Sequence, residues 1–362
     1  MYTTQPILPL LTHEFGVAPA TAGLTISVVV LLVACASTAY GPLSDMFGRK
    51  PVMVGSCALL ALPTCLCAFA PSFQVLLLFR ALQGIFIPGL TAVAVAYLGE
   101  MVAPSALGRV VGGWIAANVT GGLVGRVASG IITDLAGWRT TFLVFAALTL
   151  LCAALMAITL PRDTRHESGG WQQAYRSMFR HLRNRSLLGA FMIGGSLFFG
   201  WIGIFTYLPY YLTAPPFSLP AALVAFAYVS YLAGVIVSPI AGRASARIPR
   251  RVLITRGLWI AIIGIALTLI PSLPLIALSL LILCGGMFTA QAVAPALVNV
   301  LAREAKGGAG ALYLVFYYIG GTLGAVIPGF AWQAMGWPGV AGTCIAAYFI
   351  AFLANVWLCR EE

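Results

Sequence analysis

The chain has 362 residues, 61% hydrophobic and only 8% charged, where an ordinary soluble domain has about a quarter charged. Apolar runs of about 20 residues recur from end to end with short polar breaks, which excludes an ordinary soluble enzyme and defines an all-α, polytopic membrane protein. The formal charge of +11 fits membrane topology better than nucleic-acid binding, because cytoplasmic loops collect Lys and Arg.

The first segment, residues 1–11, is apolar but short. At a rise of about 1.5 Å per residue it covers about half of a hydrocarbon core, so it reads as an incomplete first helix. Eleven full spans follow, near 20–41, 51–70, 73–98, 107–131, 139–160, 187–212, 220–241, 252–271, 274–300, 309–332 and 338–359. The polar stretch 161–186 divides them, giving an expected six-helix bundle over 1–160 and a second over 187–362. Within that linker Trp171, Tyr175, Met178, Phe179 and Leu182 recur at helical spacing while Arg176, Arg180 and Arg183 fall elsewhere on the wheel. This pattern suits a helix lying in the inner interface, with a solvated connector as the alternative.

Basic residues set the orientation. Arg49, Lys50, Arg109, the arginines from Arg162 to Arg185, those from Arg243 to Arg256, Arg303, Lys306 and Arg360 all fall on alternate loops. Those loops, and the C-terminus, are therefore expected in the cytoplasm, with Thr12 to Pro19 outside. The first helix should then enter from the cytoplasm, so about 30 residues ahead of Met1 are expected to complete it.

The halves repeat. Gly41 to Lys50 aligns with Gly242 to Arg251, pairing Arg49 with Arg250 and Lys50 with Arg251. Gly121, Gly122 and Gly125 meet Gly320, Gly321 and Gly324, and Gly137-Trp138 meets Gly336-Trp337. Duplicated bundles in membranes usually mean alternating access around a midplane cavity.

The loop GPLSDMFGRKPVMV carries Asp45 beside a helix end, with Arg49 and Lys50 one turn on. An ion pair there can lock two helices and break when the bundle rocks, and Gly41 and Gly48 permit a tight turn. The second copy has Ala246 for Asp45 and Pro249 for Gly48, so its latch should be weaker or absent. Arg80, well inside an apolar run, costs at least about 2.5 kcal/mol unless it meets water or a partner. It is expected to face the cavity, with snorkelling to the outer surface as the alternative.

GPLSDMFGRKPVMV, RALQG at Arg80 to Gly84, and GLVGRVASG at Gly122 to Gly130 together resemble motifs of the major facilitator superfamily, the last of them that of its proton-linked drug-efflux branch. QPILP at Gln5 and AKGGAGALYLVFYYIGG near Lys306 bring the resemblance closest to the YnfM-like inner-membrane transporters of bacteria. The resemblance implies a secondary carrier in which Arg80, with Gln83, couples proton and solute movement. It also implies proton-coupled efflux of a small organic solute, in a monomer of the inner membrane. Arg126 stands where the efflux motif has proline and Ser129 where it has glycine, which puts antiport direction in question.

Gly121, Gly125 and Gly130 remain for close helix packing. Arg126 has Asp134 two turns away as a partner, or an acid of another helix. None of the nine acids lies in mid-membrane, leaving Glu14, Asp134, Asp45 or an acid of the missing half-helix to carry the proton, with His13 as a relay. The polar interruptions Gln5, Asn118, Tyr207, Tyr231, Gln291 and Tyr317 mark the solute surface. Aromatics without a buried carboxylate suit a neutral, amphiphilic or anionic solute. The eight cysteines lie in apolar runs without a His cluster, so no metal site is expected; no cofactor motif, HExxH, GxSxG or P-loop occurs either. A membrane enzyme or sensor, or an inactive truncated carrier, is the competing reading.

Overall fold

The computed structural model describes residues 1–102, 104–161, 181–302 and 306–359. The expected interfacial helix from Trp171 to Phe179 lies outside them. Among the described residues the chain is helical, without strands.

A 3-10 turn, Gln5–Ile7, leads into α1, Leu8–Phe15. Gly16 ends α1 in the left-handed conformation at φ 61°, as C-terminal glycines do. Pro19 then starts α2, Pro19–Phe47, and Gly48 at φ 90° separates it from α3, Arg49–Cys67. The turn thus rests on Gly48 alone. Gly41, expected to share that role, sits inside α2 instead.

Ser72 caps α4, Phe73–Phe86, and Pro88 opens α5, Pro88–Met101, in the same span. The helical stretch α6, Pro104–Thr159, breaks at Gly137, φ 84°. Across that break Thr133 and Thr141 meet through their hydroxyls at 2.9 Å. Eight residues of straight helix would hold them about 12 Å apart, so the chain doubles back there.

In the second half Asn184 caps α7, Arg185–Thr213. The expected span 220–241 is interrupted: α8, Ala221–Phe226, passes through a 3-10 stretch, Ala227–Tyr231, into α9, Leu232–Ala244. After it come α10, Arg250–Leu267, and α11, Leu273–Leu301. The next span is likewise split, into α12, Lys306–Gly324, and α13, Ile327–Met335. Gly336, the repeat partner of Gly137, also has positive φ, 61°, and leads into α14, Trp337–Trp357.

Nine helical runs among the described residues are long and apolar enough to cross a membrane. Ala116–Thr159, with its reversal, is long enough to cross twice, while Arg250–Leu267 falls outside that set by carrying three arginines. The helix α7 is the centre of the molecule: 72% of its most apolar window is buried, against 22% for Ala116–Thr159, whose Leu135, Leu151, Leu155 and Ile158 face outward. Such an apolar exterior is what lipid requires.

Glycines let helices touch along backbone, the usual device where lipid gives no hydrophobic drive between helices. A Cβ on Gly320 would lie 1.9 Å from the Gly195 carbonyl oxygen, and one on Gly324 2.3 Å from that of Phe199. The first-half copies differ. Nothing lies within 4 Å of a Cβ on Gly121 or Gly125, so of the three expected packing glycines only Gly130 packs, against the Ala221 carbonyl oxygen of α8. Gly320→Ala is therefore expected to lower thermal stability in detergent by about 1–3 kcal/mol through overpacking. Gly121→Ala should leave the melting temperature unchanged, and an equal shift for both would contradict the asymmetry.

Candidate functional site

The two ends of the molecule carry different chemistry. At the end that holds Gly48, the carboxylate of Asp45 accepts from Arg49 Nη2 at 2.7 Å, and Glu100 Oε1 accepts from the same nitrogen at 3.0 Å. Arg49 also donates to the Ser44 hydroxyl. Three helices, α2, α3 and α5, thus meet at one guanidinium. In the repeat partner no acid replaces Asp45, and Arg250 Nε has no hydrogen-bond partner.

Lys50 and Arg251 serve one purpose in both halves. Lys50 Nζ donates to the Leu160 carbonyl at 2.6 Å, and Arg251 Nη2 donates to those of Asn355 and Val356 at 2.7 and 2.8 Å. Each cation ties the start of the third helix of its half to the carbonyl end of the sixth, where the helix dipole favours positive charge.

Arg80 is 1% exposed. Its Nε donates to the Thr25 carbonyl at 2.9 Å, Nη1 to Gln83 Oε1 at 2.6 Å, and Nη2 to the Met1 carbonyl. Gln83 in turn donates to Thr64 Oγ1 at 2.8 Å. Arg80 neither snorkels nor lines an open cavity; it fastens α4 to α2 and to the first segment.

Arg126 does not pair with Asp134, nor with any acid among the described residues. It is 2% exposed, donating through Nε to Gln5 Oε1 at 2.7 Å and through Nη1 to the Gly122 carbonyl at 2.8 Å. Gln5 Nε2 continues to Thr206 Oγ1 of α7 at 3.2 Å. Three rings surround the guanidinium, with centroids 4.4 Å away for Tyr2, 5.0 Å for Tyr231 and 5.4 Å for Tyr228. Such cation–π contacts offset part of the lost hydration. From there Trp201 meets Tyr231 at 4.8 Å and Phe198 at 5.8 Å, and Phe198 stacks on Tyr317 at 4.0 Å. Trp201 Nε1 on these walls has no hydrogen-bond partner, nor does Arg126 Nη2, while Tyr313 and Gln291 lie beside each other next to Tyr317. Unpaired buried polar atoms are rare in finished interiors.

Gln5, Arg126, Tyr231 and Tyr317 therefore belong to one connected region. Tyr207 lies apart, donating to the Ala325 carbonyl at 2.8 Å where α12 gives way to α13. Asn118 is remote too, lining an apolar cavity of about 310 Å³ with Met53, Tyr97 and Trp114. Tyr2, Phe198, Trp201 and Tyr228 were not singled out in sequence, since aromatics in apolar runs look the same whether they face lipid, core or cavity.

Hydrogen bonds between the halves gather toward the Glu14 end. Thr12 meets the Tyr210 hydroxyl at 2.6 Å, Ser27 donates to the Thr322 carbonyl at 3.0 Å, and Ala222 N donates to Asp134 Oδ2 at 2.7 Å. A Cβ on Gly23 would stand 2.1 Å from the Ala325 carbonyl oxygen. Glu14 itself accepts from Arg139 and from Trp138 Nε1, closing the first half over its own last helix.

Helical spans packed on glycine backbones around an aromatic, polar-dotted interior define a multi-pass helical membrane protein. The chain belongs to the Major Facilitator Superfamily, whose family model matches residues 1–231. It is 32% identical over its whole length to the uncharacterized MFS-type transporter YybF of Bacillus subtilis, covering 90% of that protein. It is 33% identical to the inner membrane transport protein YnfM of Escherichia coli, covering all of this chain and 87% of that one. Among solved structures, a bacterial homolog of the human lysosomal transporter Spinster, inward-facing and occupied, superposes with a TM-score of 0.81 at 16% identity over 98% of this chain and 91% of that one. A mutant of the nucleoside transporter NupG gives 0.81 at 13% identity over 99% and 96%.

Proposed function

We propose that this chain is a proton-coupled secondary carrier of a bacterial inner membrane that exports a small organic solute by rocking two six-helix bodies, 1–160 and 187–362, about a central site. The observation that carries this reading is the gathering of cross-half bonds at the Glu14 end, opposite the loops where Arg49, Lys50, Arg250 and Arg251 sit. With the basic loops in the cytoplasm, the carrier stands closed to the outside and ready to receive solute from within, and its C-terminus is cytoplasmic. The likeness to an inward-facing carrier supports the same state. It works as a monomer, with solute, protons and lipid as its partners and no part for nucleic acid.

Asp134, Glu14 and Asp45 are the candidate proton carriers among the described residues, beside any acid of a segment ahead of Met1, and of the three Asp134 bonds across the halves. Asp45 acts at the other end. Asp45→Asn removes one of the two carboxylates on Arg49, and is expected to keep expression and membrane insertion while cutting transport severely. Undiminished uptake in vesicles at equal expression would reduce the Asp45–Arg49 pair to a marker of topology.

Proteoliposomes with an imposed pH gradient test the function as a whole. Solute should accumulate only under the gradient and collapse with an uncoupler. Solute movement that ignores both the gradient and the Asp45→Asn substitution would refute coupling.

A further inference from the structure

We infer that Arg126 and the aromatic walls beside it form the binding site for an aromatic organic anion, which narrows the solute class of the carrier read above and rests on that reading. Arg126 is a cation held at 2% exposure with no carboxylate partner among the described residues. Two of its donor positions are spent on Gln5 and the Gly122 carbonyl, while Nη2 bonds to nothing. A buried guanidinium with no carboxylate among the described residues, offset only in part by the three rings, gains from an anion that completes it. Its planar fork suits a carboxylate or sulfonate oxygen, with an ordinary charge-assisted bond as the gain.

The surroundings name the rest of the ligand. Tyr231, Trp201 and Phe198 follow one another from the guanidinium, and Trp201 and Tyr317 are only part-buried. Flat walls of this kind favour an aromatic body in offset or edge-on contact. The unpaired Trp201 Nε1 is a donor awaiting a second acceptor on that body. Residues of both halves contribute, Gln5 and Arg126 from the first and Thr206, Tyr231 and Trp201 from the second. A ligand there binds the two bodies at once, as an alternating-access site must. A dication would instead meet Arg126 with no acid among the described residues to offset it.

The test is equilibrium binding to the purified chain in lipid nanodiscs without any gradient, so that it succeeds or fails independently of proton coupling. Three isosteric probes are compared by saturation-transfer NMR: naphthoate, naphthamide and naphthylmethylammonium. Naphthoate is expected to bind, with the amide and the ammonium weaker by about 10- to 100-fold, the range of one charge-assisted bond. Arg126→Gln should erase the preference for naphthoate over naphthamide, Arg126→Lys should keep part of it, and Trp201→Leu should weaken both probes alike. Size-exclusion profiles and melting curves establish that each variant is folded; if Arg126→Gln is not, Arg126→Lys and Trp201→Leu decide the matter. Equal binding of all three probes, a preference for the ammonium, or no binding of naphthoate to the wild type would overturn the assignment. Gradient-independent naphthoate movement with binding intact would overturn proton coupling alone.

Discussion

Arg80→Ala is expected to abolish gradient-driven transport, and Arg80→Lys to retain a part of it. The alanine variant removes the donors to the Thr25 carbonyl, the Met1 carbonyl and Gln83 Oε1 at one stroke. Each buried acceptor left unmet costs about 1–3 kcal/mol. Gln83, still donating to Thr64, would be left with an orphaned carbonyl oxygen, and α4 would lose its Arg80 hydrogen bond to the Thr25 carbonyl of α2. Lysine reaches one of these acceptors as a point charge but cannot fork among three. Uptake into proteoliposomes and a melting curve should therefore rank wild type, lysine and alanine in that order. Equal uptake by all three would mean that the network holds shape without bearing on the transport cycle.

Gly23→Val is the second large effect. Gly23 of α2 packs against the break between α12 and α13, where a Cβ would come 2.1 Å from the Ala325 carbonyl oxygen and 2.9 Å from the Tyr207 hydroxyl. Tyr207 is itself bonded to that carbonyl, so neither atom has room to retreat. Because α2 and α13 belong to different halves, the strain falls on closure of the Glu14 end more than on folding of either half. The variant is expected to populate the conformation open at that end and to lose turnover while still inserting. Gly121→Val, whose Cβ meets nothing within 4 Å, is the control and should transport normally. A Gly23→Val protein with wild-type turnover would show that the closed end is not part of the cycle.

The spans were legible because a run of about 20 apolar residues matches the thickness of a hydrocarbon core, a length that soluble helices rarely keep free of charge. The repeat was legible because glycine and tryptophan recur in order, and the paired positive φ of Gly137 and Gly336 is its structural trace. Breaks inside spans were harder. Pro88 and Pro328 both stand at helix starts, yet Pro42, Pro63 and Pro295 pass through unbroken helices, so proline alone did not mark them. Gly121 and Gly320 sit in the same motif but in different surroundings, which no periodicity reports. The site was half legible: Gln5, Arg126 and Tyr231 interrupt apolar runs, but their meeting depends on contacts 121 residues apart in sequence for Gln5 and Arg126. Asp134 lies only two turns from Arg126 and was the natural partner by sequence, yet its carboxylate is taken by the Ala222 amide.

Alternating access between the two halves is the central claim, and a distance across the closed end tests it directly. Leu135 and Leu223 are exposed neighbours of the Asp134–Ala222 bond, one on each half. Spin labels at Leu135→Cys and Leu223→Cys, with the eight native cysteines replaced, report their separation in nanodiscs by pulsed electron resonance. A short distance is expected at rest, with a second, longer population appearing when pH is lowered with naphthoate present, and dominating in Gly23→Val. A single short distance under every condition in which the labelled protein still transports would contradict the account.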